Sequence, residues 1–206
     1  MNKVRFFVTG TALAGLLALT GCASNSGSNP MPGMDHGQQT ASAGSTSEAS
    51  TASNHNAADT MFAQMMIPHH AQAVEMSDAI LAKKDIPSAV TALAVQIKGA
   101  QAPEIEKMTA WLKGWSEPMM GSSGHAGHGM DGMVSDTELQ KLKDAHGTEA
   151  ARLYLSQMIA HHEGAVTMAK TEISQGKSSE AVQLAKDIVA AQEQEIQEMK
   201  TLLAGL

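Results

Sequence analysis

Aromatic residues make up only 3% of the 206 positions in this chain, and cysteine occurs once. Sheets draw heavily on aromatic and β-branched side chains, so this scarcity, beside abundant Ala, Leu and Met, favours a helical bundle over a sandwich or barrel. A lone Cys22 excludes an internal disulfide. Basic side chains are also few: 14 Lys and Arg stand against 21 Asp and Glu, for a formal charge of -7. Nucleic acid and anionic membrane surfaces are bound through basic patches, so neither is expected as the main partner, whereas the balance suits cations. Ser, Cys and His are nowhere grouped as a nucleophile with its base, and no catalytic activity is expected.

Long apolar runs are missing as well. Residues 6–19 form a run too short to favour a membrane-spanning helix, which needs ~20 residues. The run follows Lys3 and Arg5 and closes at Leu19-Thr20-Gly21-Cys22. That order resembles the bacterial lipoprotein signal, which implies removal of residues 1–21 and lipid attachment at Cys22. Ala23-Ser24 after the cysteine resembles outer-membrane sorting in a diderm cell, with the protein facing the periplasm; membrane contact is expected through the lipid alone. Residues 22–56 are rich in Ser, Ala, Gly, Asn and Thr, lack apolar periodicity, and are expected to be a disordered tether. The folded domain is expected over residues 57–206.

Methionine (15) and histidine (9) are plentiful instead, and much of both falls in one stretch that occurs twice. Phe62-Ala-Gln-Met-Met-Ile-Pro-His-His-Ala-Gln-Ala-Val-Glu-Met76 aligns without gaps with Tyr154-Leu-Ser-Gln-Met-Ile-Ala-His-His-Glu-Gly-Ala-Val-Thr-Met168. Met66/Met158, Ile67/Ile159, His69/His161, His70/His162, Ala73/Ala165, Val74/Val166 and Met76/Met168 match. Further on, Gln101-Ala-Pro-Glu104-Ile105-Glu-Lys-Met108 is answered by Gln192-Glu-Gln-Glu195-Ile196-Gln-Glu-Met199. The duplicated unit is therefore a helix pair.

The first helix is expected from Asp59, a plausible N-cap, or a little before, to Lys84, with a bend at Pro68. Asp85 caps and Pro87 opens a second helix, from about Ile86 to Gly114, with Pro103 inside it. A Gly-rich loop, 116–134, separates the halves. Ser135-Asp-Thr-Glu138 has the form of a capping box for a short helix ending near His146-Gly147. Thr148 can cap the next, which runs to about Gln175 with Gly176 suited to its C-terminus, and Ser178 or Ser179 opens a last one to about Ala204. Four long helices in two short-looped pairs predict an all-α, antiparallel four-helix bundle.

At about 100° per residue, Met66, His69, His70, Ala73 and Met76 share roughly 120° of one helix face, the one that points inward. Gln101, Glu104, Ile105 and Met108 share a similar arc, as do Gln192, Glu195, Ile196 and Met199. The interior would then hold two His-His pairs, two glutamates and several thioethers, and buried polar groups need partners. Either Glu104 and Glu195 accept from the histidines while the methionines fill the core, or imidazole and thioether bind a transition metal, thioether favouring soft ions such as Cu(I). Adjacent histidines diverge by about 100°, so one could ligate while its neighbour bonds to carboxylate. On the metal reading the ligands are His69, His70, Met66, Met76, Glu104 and Met108, and His161, His162, Met158, Met168, Glu195 and Met199. Met119, Met120, His125, His128, Met130 and Met133 in the Gly-rich loop, like Met31, Met34 and His36 in the tether, form clusters suited to capturing copper. His55 and His146 stand alone and are expected to be solvated or capping.

With both Met-Ile-x-His-His copies and both Gln-x-x-Glu-Ile-x-x-Met segments placed, residues 59–203 resemble the bacterial domain-of-unknown-function family number 305. That resemblance implies a ferritin-like fold and, from those members described as periplasmic copper-binding proteins, a copper ion as ligand. Asp59 has no counterpart in the second copy, where Ala151 stands. Neither repeat has the Glu-x-x-His that di-iron chemistry requires. The expected function is copper sequestration or delivery in the envelope; the alternative is a non-metal bundle that binds an envelope partner.

Overall fold

The computed structural model describes residues 54–119 and 131–206. Among them are five helices and no strand: α1 (Ala57–Leu81), α2 (Ser88–Trp115), α3 (Asp136–Asp144), α4 (Gly147–Gln175) and α5 (Ser179–Gly205). None of the described helices is long and apolar enough to cross a membrane. Residues 1–53, with the expected signal, Cys22 and most of the tether, lie outside the described residues, as do Met120, His125, His128 and Met130.

The ends of the helices follow cap chemistry, and several differ from the expectation. Asn56 is the N-cap of α1: its side chain accepts from Ala58 N–H and Asp59 N–H, while Asp59, three residues in, accepts from Asn56 N–H. Asp59 is thus the second half of a capping box. Helix α2 starts at Ser88, because the N-cap is Pro87 and Asp85 sits at φ 60 in the intervening turn. Ser135 caps α3 through Glu138 N–H and Ser178 caps α5 through Ala181 N–H. Helix α4 begins one residue before Thr148, with His146 at the cap position and no side-chain bond there. Gly176 closes α4 with φ -67, so glycine's left-handed freedom is not used. Pro68 and Pro103 are accommodated inside continuous helices.

Helix α1 packs most extensively on α2, and α4 on α5; α1 and α4 meet each other, and α3 lies against both. Apolar residues inside these contacts form two clusters. Met76, Ile80, Leu93, Ile97, Leu139, Leu142, Tyr154, Leu155, Met158 and Met199 belong to one. Phe62, Met66, Met108, Leu112, Ala165, Ala169, Leu184 and Ile188 belong to the other. Fully burying each Leu, Ile or Met of this kind is worth roughly 1.5–3 kcal/mol. The four histidines of the duplicated motif are completely buried and belong to neither cluster.

Candidate metal centre

His69 and His161, at matching positions of the two copies, face each other across α1 and α4 with ring centroids 3.8 Å apart and planes inclined by 41°. His70 and His162 each turn to a glutamate on the partner helix: His70 Nε2 lies 2.7 Å from Glu104 Oε2, and His162 Nε2 lies 2.9 Å from Glu195 Oε2. Gln96 Nε2 donates to the other Glu195 oxygen at 3.2 Å. Adjacent histidines therefore diverge as the helical angle requires, one toward its symmetry-matched partner and one toward carboxylate.

These contacts fix which nitrogen is free. A carboxylate or carbonyl only accepts, so a neutral ring facing one carries its proton on that nitrogen and keeps a lone pair on the other. For His70 and His162 the acceptors are Glu104 and Glu195, and for His69 the acceptor is Asp131 O, 3.2 Å from Nε2. Nδ1 of all three is buried without a hydrogen-bond partner. His161 has no hydrogen bond of good geometry at either nitrogen, although the His69 backbone lies close enough to pull its pKa up against the other influences. Burial, reinforced by His70, lowers the His69 pKa to about 3 against the pull of Asp131 O. Burial, then the neighbouring His69, His162 and His70, holds His161 well below 6.5. Both rings are neutral at physiological pH. Gln101, and Gln192 at its Oε1, add further unpartnered polar atoms to this interior.

A short strap, residues 131–134, closes over the His69/His161 pair. Gln72 holds it by a reciprocal pair of bonds: its Nε2 donates to Val134 O and Val134 N–H donates to its Oε1, each at 2.8 Å. In the second copy the matching position is Gly164, where a Cβ would fall 1.8 Å from Asp131 O. Gly132, at φ 85, presses equally close, since a Cβ there would meet Ala160 O at 2.5 Å. Met133 is half-buried in this strap, and Met119, at the other end of the Gly-rich loop, is exposed.

Of the other expected ligands, Met66, Met76, Met108, Met158 and Met199 are completely buried and Met168 is partly buried. They divide between the two apolar clusters, Met76, Met158 and Met199 in one and Met66, Met108 and Met168 in or against the other. Glu195 is nearly buried and Glu104 partly exposed. Among the described residues no group of three or more His, Cys, Asp or Glu is arranged to hold one ion. The donor set fits a soft ion content with imidazole and thioether better than a hard ion that needs several carboxylates. His55 is not solitary: it stacks on Trp115 at 4.5 Å and lies 3.3 Å from Glu117.

One buried polar arrangement escaped the sequence reading. Asp59, fully buried, accepts from the backbone N–H groups of Lys177 and Ser178, tying the start of α1 to the α4–α5 turn. Burial alone would raise its pKa, but hydrogen bonds from Glu172 and from the backbone of Asn56, Ser178 and Lys177 outweigh it and hold the carboxyl below the ordinary range. Glu172 takes the opposite shift: burial first, then Asp59, push it up to about 8. Glu172 thus keeps its proton at neutral pH beside the ionised Asp59. The missing counterpart of Asp59 in the second copy was the available signal.

Compared with known proteins, residues 59–203 match the model of the family described as Domain of unknown function (DUF305). The solved DUF305 protein of Streptomyces coelicolor is 38% identical, with a TM-score of 0.67 over 72% of this chain and 91% of that one. CopM in its Cu(II)-bound form is 33% identical, with a TM-score of 0.62 over 71% of this chain and 96% of that one; CopM has also been solved in Cu(I)-bound and Ag-bound forms. Among curated proteins, the uncharacterized protein L153 of Acanthamoeba polyphaga mimivirus is 44% identical over 50 residues, which span 24% of this chain and a third of that protein.

Proposed function

Because the chain belongs to the DUF305 family and shares its fold with CopM, we propose that it binds copper in the cell envelope, sequestering or handing on the ion without catalytic turnover. The observation that carries this reading is the accumulation of bare imidazole nitrogens in one buried layer. Nδ1 of His69, His70 and His162 lacks a partner and His161 makes no well-formed hydrogen bond at either nitrogen, and leaving such groups unsatisfied costs roughly 1–3 kcal/mol each. A bound soft cation would satisfy them. Glu104 and Glu195 orient the histidines as outer-shell carboxylates do in metal sites, holding Nε2–H so that Nδ1 is the donor.

In this proposal the helix pairs α1–α2 and α4–α5 are the duplicated units of an antiparallel, ferritin-like four-helix bundle, related by a pseudo-two-fold through the His69/His161 contact. Met66 and Met158, one turn before the histidines, and Met76 and Met168, two turns after, flank the layer and are the thioethers best placed in sequence to complete it. The loop residues Met119, Met120, His125, His128, Met130 and Met133 supply a first capture site, and a lipid at Cys22 holds the protein to the membrane.

The test is retention of Cu(I) by native mass spectrometry, in wild type and in a His69→Phe/His161→Phe variant that keeps two buried rings. Loss of at least one equivalent is expected; full retention would remove the helix layer as a site. The His70–Glu104 and His162–Glu195 pairs, already satisfied at Nε2, favour a second reading, a non-metal bundle stabilised by its own polar network. A wild-type protein that retains no copper would establish that one instead.

A further inference from the structure

The two copies of the motif are treated differently at their outer ends. At the end of the bundle that holds Tyr154 and Ile80, helix α3 covers the α1–α4 surface: Leu139 and Leu142 are buried there, Leu153 packs against the same cluster, and Gln157 Nε2 donates to Glu138 O at 2.9 Å. The matching positions in the first copy are Met61 for Leu153 and Met65 for Gln157. No described helix covers them. They line a cleft of about 200 Å³ together with Phe62, Met168 and the inner carboxyl Glu172.

Met61 is 59% exposed, although it is a large apolar side chain, and Met65 is only half-buried. Packing therefore does not account for either. Met61 and Met65 are one turn apart on α1, and Met168 lies on α4, so three methionine side chains line one solvent-accessible cavity. Thioether sulfur is a poor ligand for hard ions and a selective one for soft monovalent cations. We propose that the Met61/Met65/Met168 cleft is a separate binding site for a soft monovalent cation of the Cu(I) class. It goes beyond the histidine layer and shares no histidine with it; Met168 is common to both readings, whereas Met61 and Met65 belong to the cleft alone.

The cleft opens to solvent, whereas the histidines are fully buried. Phe62 lines the cleft and belongs, with Met66, to the apolar cluster on the side toward His69.

The experiment uses full-length protein labelled with 13C at the methionine methyls and titrated with Ag(I), a redox-silent probe of soft-cation sites. Methyl signals of Met61, Met65 and Met168 should shift together and saturate at one equivalent, and Zn(II) should leave them unmoved. A Met61→Leu/Met65→Leu/Met168→Leu variant keeps the apolar volume and should retain one Ag(I) fewer by native mass spectrometry. The single exposed change Met61→Leu, which cannot disturb the core, should weaken that site at least tenfold. In the His69→Phe/His161→Phe variant the three methyl shifts should persist even where the histidine equivalent is lost. Unshifted Met61, Met65 and Met168 signals, or an unaltered stoichiometry in the triple variant, would overturn the proposal whatever the histidines do.

Discussion

The stability of the metal-free protein should pass through a maximum near pH 6.5, and a single substitution should reshape that profile. Three buried groups set it. His69 and His161 have folded pKa values lowered from 6.5, so the unfolded chain takes up protons that the folded one refuses, and stability is lost as pH falls below 6.5. Glu172 is raised from 4.5 to about 8, so the folded chain holds a proton that the unfolded one has released, and stability is lost as pH rises from 4.5 toward 8. Each proton of difference is worth about 1.4 kcal/mol per pH unit. From pH 8 down to 6.5 Glu172 acts alone, and stability rises by about 2 kcal/mol. Below 6.5 the two histidines oppose the one glutamate, and stability falls as pH falls. Asp59, held below 3.8, contributes stability that is lost only at lower pH and leaves this window untouched. Glu172→Gln keeps a donor for Asp59 but removes the titration. Its profile should be flat above pH 6.5 and should fall more steeply than that of the wild type below it. Urea unfolding of chelator-treated protein from pH 4.5 to 8.5 measures both curves, and contributions from all other groups cancel in their difference. Parallel curves for the two proteins would refute the assignment of the proton to Glu172. A wild-type profile that does not decline below pH 6.5 would refute the neutral histidines.

The strap offers two further tests. Gly164→Ala drives a methyl against Asp131 O and should cost about 1–3 kcal/mol in thermal unfolding, whereas Gly99→Ala, into open space on α2, should be neutral or stabilising by up to about 1 kcal/mol. Gln72→Ala removes both bonds to Val134, and faster hydrogen exchange of the Val134 amide should accompany a loss of about 1–3 kcal/mol. Asp59→Ala leaves the N–H groups of Lys177 and Ser178 without their carboxylate; destabilisation of about 3 kcal/mol or more is expected by chemical denaturation. Replacing Glu195 by Gln keeps the shape but not the charge that orients His162, and Cu(I) affinity measured by competition should drop 10- to 100-fold.

Much of the scaffold is written in local chemistry. Apolar residues at helical spacing locate all the long helices, and Ser135 and Ser178 cap where their hydroxyls allow. The first helix begins earlier than Asp59 because Asn56, a better-placed acceptor, recruits Asp59 as the third residue of its box. A choice between two adjacent caps depends on backbone direction that composition does not encode. Burial of all four motif histidines follows from the helix angle; which member of each pair meets glutamate does not, because it depends on the rotation of α1 against α2 and of α4 against α5. Least legible is the strap. Nothing local in Asp131-Gly132-Met133-Val134 distinguishes a segment pinned to His69, and Gly164 reads as an ordinary helical glycine until the backbone it makes room for is seen.

Where the two copies agree and where they part carries its own meaning. The four histidines and two glutamates of the layer are kept in both copies, and their mutual contacts are matched too: His69 with His161, His70 with Glu104, His162 with Glu195; Asp131 O on His69 and Gln96 on Glu195 are the contacts without a counterpart. Away from that layer the same pairs of positions are filled differently at the two ends. Ser77 and Tyr154 hydrogen-bond at 3.1 Å, while their counterparts Ala169 and Phe62 meet in an apolar cluster. Ile80 and Ala151 share the other apolar cluster, while their counterparts Glu172 and Asp59 form the carboxyl pair. Each end thus carries one polar pair and one apolar pair, in exchanged positions. A repeat kept only for packing would tolerate such exchanges anywhere along its length, since volume-conserving substitutions cost little. A ligand shared between the copies at the unpartnered nitrogens, as proposed above, accounts for the histidines and glutamates being kept where the flanking pairs are exchanged.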